Sequence, residues 1–213
     1  MVLVRLLWEY AARHDPLGVS RLSEPDLGDP LPVRWHGSLI SQDLANSVLE
    51  VGAISRALGE HQPHQILEVG GGYGRTAYAL LHAYPSSVYT IVDIEPALGL
   101  SRWYLSLLFP ADRLRFLTPD VATTLPSGCF DLALSISSLQ EMTPAQVTGY
   151  LKLIDRVAAG GTVFLKQWRA WTNPADHVQL RFASYPIPSH WRRIFSEPAP
   201  VQTRFIQAIW RLA

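Results

Sequence analysis

The chain has a single cysteine, Cys129, among 213 residues. One thiol excludes an internal disulfide and any zinc or iron–sulfur centre built from several cysteines. Charge is scarce too: Asp, Glu, Lys and Arg make up 17%, with 18 basic side chains against 18 acidic ones. Without surplus cations to displace phosphate counterions, nucleic acid is not expected as a partner. No apolar run approaches the ~20 residues of a bilayer span, so no membrane partner is expected either. Arg5, Glu9 and Arg13 interrupt the apolar N-terminus. Met1 to Asp15 therefore reads as a short amphipathic helix and not a signal peptide, and the expected location is cytoplasmic.

Apolar residues, by contrast, form 48% of the chain. That suffices for one domain with a sizeable core and a small cap. Residues 1–60 read as a helical N-terminal cap with a lid loop, and 61–213 as the main domain. The loop, 15–39, is rich in Pro and Gly (Pro16, Pro25, Pro30 and Pro32 with Gly18, Gly28 and Gly37). Ser41 to Leu58 has helical periodicity, with Leu44, Val48, Val51 and Leu58 on one side. Asp43, Asn46, Ser47 and Glu50 form another stripe at spacings of three and four. A solvated face accounts for that stripe; its Asn and Ser equally suit the wall of a polar cavity.

From Gln65 onward strands alternate with helices. Ile66–Val69, Val88–Val92, Leu114–Leu117, Phe130–Ile136 and Thr162–Lys166 read as five strands. Thr76–Ala83 is helical, and Pro96 suits the first turn of a helix running to about Phe109. Thr143-Pro-Ala-Gln146 has the form of a capping box with Pro at the first helical position. Such alternation implies right-handed crossovers and a parallel, doubly wound sheet. Trp191–Phe195 and Thr203–Leu212 are β-like runs joined by a short loop, so they must pair antiparallel. The expected fold class is α/β, with a mostly parallel seven-stranded sheet that ends in an antiparallel hairpin.

The most informative segment is Glu68-Val-Gly-Gly-Gly-Tyr-Gly74, directly after the first strand and before a helix. Gly70, Gly72 and Gly74 permit a sharp turn and close approach of a ligand to the main chain. In an open parallel sheet the ligand crevice lies at the carboxyl ends of the strands, where this loop falls. A mononucleotide P-loop would need Lys-Ser/Thr, but Arg75-Thr76 stands here at the wrong spacing. A dinucleotide fingerprint needs a small residue at position 75, where Arg75 obstructs helix–strand packing. A third reading is an adenosylmethionine loop, in which Glu68 pairs with the ammonium of the cofactor. A plain structural turn is a fourth. Asp93 ends the second strand at the distance where an acid holds ribose hydroxyls; the alternative role is a helix N-cap. Asp120 follows the third strand and could accept from an adenine amino group, or be an ordinary loop aspartate. Ser135, Ile136 and Ser137 leave the fourth strand toward the same crevice, where their backbone would line the methionine part. Together these favour adenosylmethionine over NAD.

On these residues the chain resembles the class I adenosylmethionine-dependent methyltransferases, and among them a bacterial group of sugar O-methyltransferases. The resemblance covers about residues 40–170. It is carried by Ile66-Leu-Glu-Val-Gly-Gly-Gly-Tyr-Gly-Arg-Thr76, Ile91-Val-Asp-Ile94, Tyr104-Leu105, Ser138-Leu-Gln-Glu-Met142 and Phe164-Leu-Lys-Gln-Trp168. It implies a Rossmann-like methyltransferase fold, adenosylmethionine as cofactor with Ile94 and Tyr73 beside it, and a small-molecule acceptor from natural-product biosynthesis. A hydroxyl acceptor needs a base as the new bond forms. Glu141, past the fourth strand, leads; a loop-fixing charge is its other reading. His177, after the fifth strand, is a second candidate base. Gln140, Lys166, Gln167, Trp168 and Trp171 would hold the acceptor, unless the tryptophans serve packing. No spacing demands a metal, although Asp93, Asp120 and Glu141 could in principle hold magnesium. A catalytically inert cofactor-binding subunit and an NAD-dependent oxidoreductase are the competing functions. Seven tryptophans leave room for an apolar interface in a homodimer.

Overall fold

In the computed structural model, all residues are described except Pro30, Pro32, Ala175 and Asp176. Two of the four prolines of the lid loop, Pro30 and Pro32, thus lie outside the described residues. The amphipathic N-terminus forms α1 (Val2–Ala12), which buries Trp8 and Ala11. Part of the segment read as loop pairs into a small antiparallel hairpin, β1 (Val33–Trp35) and β2 (Ser38–Ile40). Gly37 turns it at φ +87°. Ser41 then N-caps α2 (Gln42–Leu58) by accepting from the Leu44 N–H at 2.9 Å. The chain just past α1 packs closely on α2: a Cβ at Gly52 would lie 2.8 Å from the His14 carbonyl oxygen.

The central sheet follows in βα order. Its elements are β3 (Gln65–Val69), α3 (Arg75–Ala83), β4 (Val88–Val92), α4 (Ala97–Ser106), β5 (Leu114–Leu117), α5 (Pro119–Ala122), β6 (Leu132–Ile136), α6 (Pro144–Val157) and β7 (Thr162–Trp168). A short antiparallel pair comes next, β8 (Ala170–Thr172) with β9 (Gln179–Arg181). The chain ends in β10 (Arg192–Pro198) and β11 (Phe205–Arg211). Strand order is β10-β11-β7-β6-β3-β4-β5. Strands β3 to β7 are parallel, while β11 runs antiparallel to both β7 and β10. The seven-stranded α/β sheet and its antiparallel end are thus as the alternation of apolar runs implied. Because β4 and β5 lie on one side of β3 and β6 and β7 on the other, strand order reverses at β3. The ligand crevice of such sheets opens at that reversal.

Successive strand residues face opposite layers. Ile66, Leu134 and Phe164 join an apolar cluster with Trp8, Val48, Ile54 and Leu80. Leu67, Ala133 and Leu165 join the other, with Leu151, Ile154 and Trp210. The predicted capping box is present: Thr143 Oγ1 accepts from the Gln146 N–H at 3.3 Å, and Gln146 Oε1 accepts from the Thr143 N–H at 2.9 Å.

Four local readings change. Gln167 and Trp168 lie within β7, not beyond it, because β11 extends the ladder by pairing Ile206 with Gln167 and Phe205 with Trp168. The helix after Pro96 ends at Ser106, with Pro96 as its N-cap and not in its first turn. Phe130 precedes β6, whose ladder begins at Leu132. Most of the polar stripe of α2 is not a solvated face: Asp43 is exposed, but Asn46, Ser47 and Glu50 are buried, with Ser47 bonded to α3 and Glu50 to α3 and β7.

Candidate functional site

The backbone after β3 can turn as it does only with glycine. Gly70 sits at φ +76°, and a Cβ there would fall 1.9 Å from the Ser138 hydroxyl oxygen. Gly74, the N-cap of α3, sits at φ +100° with Leu105 2.9 Å from where a Cβ would be. These two positions pull the turn tightly against α4 and the loop after β6. Gly72, between them, has open space where a Cβ would project. A cavity of about 420 Å³ opens here, bordered by the glycine turn, Glu68, Arg75, Asp93, Ile94, Ile136–Ser138 and Glu141. That volume lies within the range of small-molecule and cofactor pockets.

Asp93 leaves the end of β4 and holds the turn from the side. Its Oδ2 accepts from the Gly72 N–H at 3.0 Å and its Oδ1 from the Ile94 N–H at 2.8 Å. Glu68, buried at 2% exposure, accepts from the Tyr89 hydroxyl at 2.9 Å. Burial outweighs that hydrogen bond and pushes its carboxyl up to about 8. At neutral pH it is mainly an uncharged acid.

The cap contributes a second buried glutamate. Glu50 of α2 lies 2.9 Å from Arg75 of α3 and 2.7 Å from Lys166 of β7. Burial alone would raise Glu50, but the two cations outweigh it and hold the carboxylate below its ordinary range. Arg75 also donates to the Ser47 hydroxyl at 2.7 Å and the Asp43 carbonyl at 3.0 Å. The residue that spoils a dinucleotide fingerprint therefore ties the glycine turn to the cap, and Glu50 carries the tie on to the sheet through Lys166.

Of the residues read from the sequence, the cavity brings together Glu68, Gly70, Gly72, Tyr73, Asp93, Ile94, Ile136, Ser137 and Glu141. Ser137 adopts φ +56°, bending the chain out of β6. Burial raises the Glu141 carboxyl. Gly74, Asp120, Ser135, Gln140, Lys166, Trp168 and His177 lie outside this lining. Asp120 is in the first turn of α5, and its carboxyl is lowered by a hydrogen bond from Thr118. Ser135 is fully buried, with its carbonyl accepting from Gln167 Nε2 at 3.0 Å. Gln140 Oε1 accepts from the Trp168 N–H at 2.7 Å, and Gln167 Oε1 from the Gln140 N–H at 3.3 Å. Those two amides fasten the loop after β6 to β7. Trp168 packs on Trp171 and Phe205, at 5.1 and 5.2 Å between ring centroids. His177 is exposed between β8 and β9.

Sequence reading missed Tyr89 altogether and saw Arg75 only as an obstruction. A tyrosine inside a β-run carries no signal of what its hydroxyl meets across the sheet. The signal for Glu50 was available: a carboxylate in a helical stripe with Asn and Ser.

No family model matches the sequence, and no curated protein matches it. Solved structures do match the fold. A candidate sarcosine dimethylglycine methyltransferase from Galdieria sulphuraria superposes with a TM-score of 0.62, at 11% identity, over 96% of this chain and 97% of that one. The 1,6-didemethyltoxoflavin-N1-methyltransferase of Burkholderia thailandensis, with S-adenosylhomocysteine bound, gives 0.57 at 20% identity over 79% of each chain. The mitomycin 7-O-methyltransferase MmcR gives 0.54 at 20% identity, over 79% of this chain and 57% of that one. The fold is thus the Rossmann-like methyltransferase fold.

Proposed function

We propose that the protein is an adenosylmethionine-dependent methyltransferase that methylates a hydroxyl of a small metabolite, such as a sugar or a natural-product intermediate. The observation that carries this reading is the cavity over the glycine turn, with Glu68 and Asp93 on its border, at the strand reversal of a methyltransferase-type sheet. Three features make the residues suited to the cofactor. The space beside Gly72 admits a ligand to the backbone. Asp93 keeps free lone pairs for ribose hydroxyls while it steadies the turn. Glu68 has no cation of its own and would take the ligand's ammonium. The related folds include an O-methyltransferase and an N-methyltransferase, the latter with S-adenosylhomocysteine bound.

When bound, adenosylmethionine supplies a methyl group already activated by its sulfonium. What remains for the chain is alignment of the acceptor, exclusion of water and removal of one proton. Glu141 borders the cavity, and its raised carboxyl is a better base than an ordinary glutamate near neutral pH. It would take the hydroxyl proton as the carbon–oxygen bond forms. His177 lies outside the cavity lining and has no part in this reading.

Calorimetric titration with S-adenosylhomocysteine tests the first step, with micromolar binding expected. No binding at high micromolar concentration removes the reading. Glu141→Gln should keep that affinity and lower turnover about 100-fold or more, the scale of general-base catalysis. Unchanged turnover acquits Glu141.

A further inference from the structure

A second cavity, about 550 Å³, shares Tyr73 with the first and lies against the cap. We infer that it is a binding site for a flat, apolar organic molecule that carries a positive charge. The inference does not depend on methyl transfer.

Its walls are aromatic and aliphatic. Tyr73 and Tyr104 meet edge to face, 5.4 Å between centroids, and Leu27, Val33, Leu100 and Trp103 are among the other apolar lining residues. Trp103 and Leu100 stand 47% and 49% exposed. Large apolar side chains exposed together around a concave opening mark ligand sites more often than idle surface. A slot lined by ring faces and edges accepts a planar body, and an indole face attracts a cation.

The polar groups of the cavity select the charge. Glu24 and Asp43 both line it, and none of its lining residues is basic. Burial raises the Glu24 carboxyl first, and repulsion from Asp43 raises it further, opposed by a hydrogen bond from the Ser41 hydroxyl and by Arg75. The Asp43 carboxylate receives only a long contact from the Tyr73 hydroxyl, 3.4 Å. Arg75 is the cation whose charge acts on Glu24, and it is already bound to Glu50, Ser47 and the Asp43 carbonyl. A ligand cation between the two carboxyls relieves their repulsion. An anion of the same shape would add to it, which gives selection by rejection as well as by attraction.

The test uses one ring with three charges: tryptamine, tryptophol and indole-3-acetate, titrated calorimetrically into the full chain at low salt. Tryptamine should bind about tenfold more tightly than tryptophol, the scale of a partly desolvated cation–π and ion-pair contact, with indole-3-acetate weakest. Asp43→Asn and Glu24→Gln should each shrink the tryptamine preference to about threefold or less. Trp103→Ala, at a half-exposed position that the fold does not need, should weaken all three ligands. Equal affinity for the three probes, no binding at millimolar concentration, or a preference that survives both carboxyl substitutions overturns the site. A parallel titration with S-adenosylhomocysteine keeps the two readings apart. If it binds while tryptamine shows no preference, the second site fails and the methyltransferase reading stands.

Discussion

The cap–sheet junction and the end of β3 each bury a carboxyl almost completely, Glu50 at 1% exposure and Glu68 at 2%. Their surroundings are opposite. Glu50 touches two cations from two other elements, whereas Glu68 touches a neutral phenol. A buried carboxyl between cations stays ionised and ties its neighbours together. A buried carboxyl without one takes up a proton and waits. The junction is therefore finished before any ligand arrives. On the proposed reading the end of β3 is completed only when something positive enters the cavity, and the difference would then separate the part of the molecule that holds the fold from the part that holds a ligand.

The largest effect is expected at the junction. Glu50→Gln removes the carboxylate in contact with both Arg75 and Lys166 and leaves two cations without its charge. Breaking a buried pair in this way costs about 3–5 kcal/mol. Urea unfolding at pH 7 measures it. A loss below about 1 kcal/mol, the scale of an exposed pair, would show that the clamp is incidental. Adding Lys166→Met to Glu50→Gln should recover part of the loss, since one uncompensated charge then disappears with its burial cost.

The reserve carboxyl should reveal itself through protons. With Glu68 pushed up to about 8, roughly nine in ten molecules carry its proton at pH 7. Pairing with a ligand ammonium favours the ionised form, so binding should release close to one proton. Calorimetry of S-adenosylhomocysteine in buffers of different ionisation enthalpy counts it. Glu68→Gln should weaken binding about tenfold and abolish the release. If wild-type binding releases no proton, the ammonium does not reach Glu68. Stability gives the same sign by another route. A carboxyl raised on folding contributes stability that is present below its unfolded value of about 4.3 and is lost as pH rises through about 8. Glu68→Gln should therefore gain on the wild type between pH 5 and 9. Each kcal/mol of that gain should appear as about 2–4 °C in Tm.

How far the sequence reveals this contrast depends on where each signal lies. The sheet, its strand order class and the glycine turn are written in local pattern: apolar runs of strand length, a Thr-x-x-Gln capping box and glycines at the carboxyl end of a strand. Glu68, Asp93 and the loop from Ile136 to Glu141 follow from that frame, because position along a strand decides which residues reach the crevice. Lys166, Gln140 and Gln167 do not follow. Their polarity reads as exposure, yet β11 and the loop after β6 bury them, and no local pattern states that a later strand will insert there. The hairpin of β1 and β2 was hidden for the opposite reason. Its strands are three residues each, too short for alternation to show. The second cavity is still further from sequence, since its walls come from the cap, the glycine turn and α4, which meet only in the folded chain.

The smallest expected effect is the sharpest test of why Glu68 stands where it does on the pH scale. Tyr89 is fully buried, and its hydroxyl donates to Glu68 Oε2. That bond favours the carboxylate and works against burial, so it sets the carboxyl lower than burial alone would. Tyr89→Phe keeps the ring and removes one donor, at a cost of about 1 kcal/mol in stability. It should move the Glu68 transition upward, so that proton release on ligand binding continues at a pH where the wild type no longer shows it. A charge-bearing partner would behave differently, because losing it would change stability by several kcal/mol, as at Glu50. If Tyr89→Phe instead leaves the proton-release profile in place, the hydroxyl is packing only. The position of Glu68 then comes from burial and from the more distant charges of Arg75, Glu50 and Asp93, and the two carboxyl regions are less independent than their contacts make them.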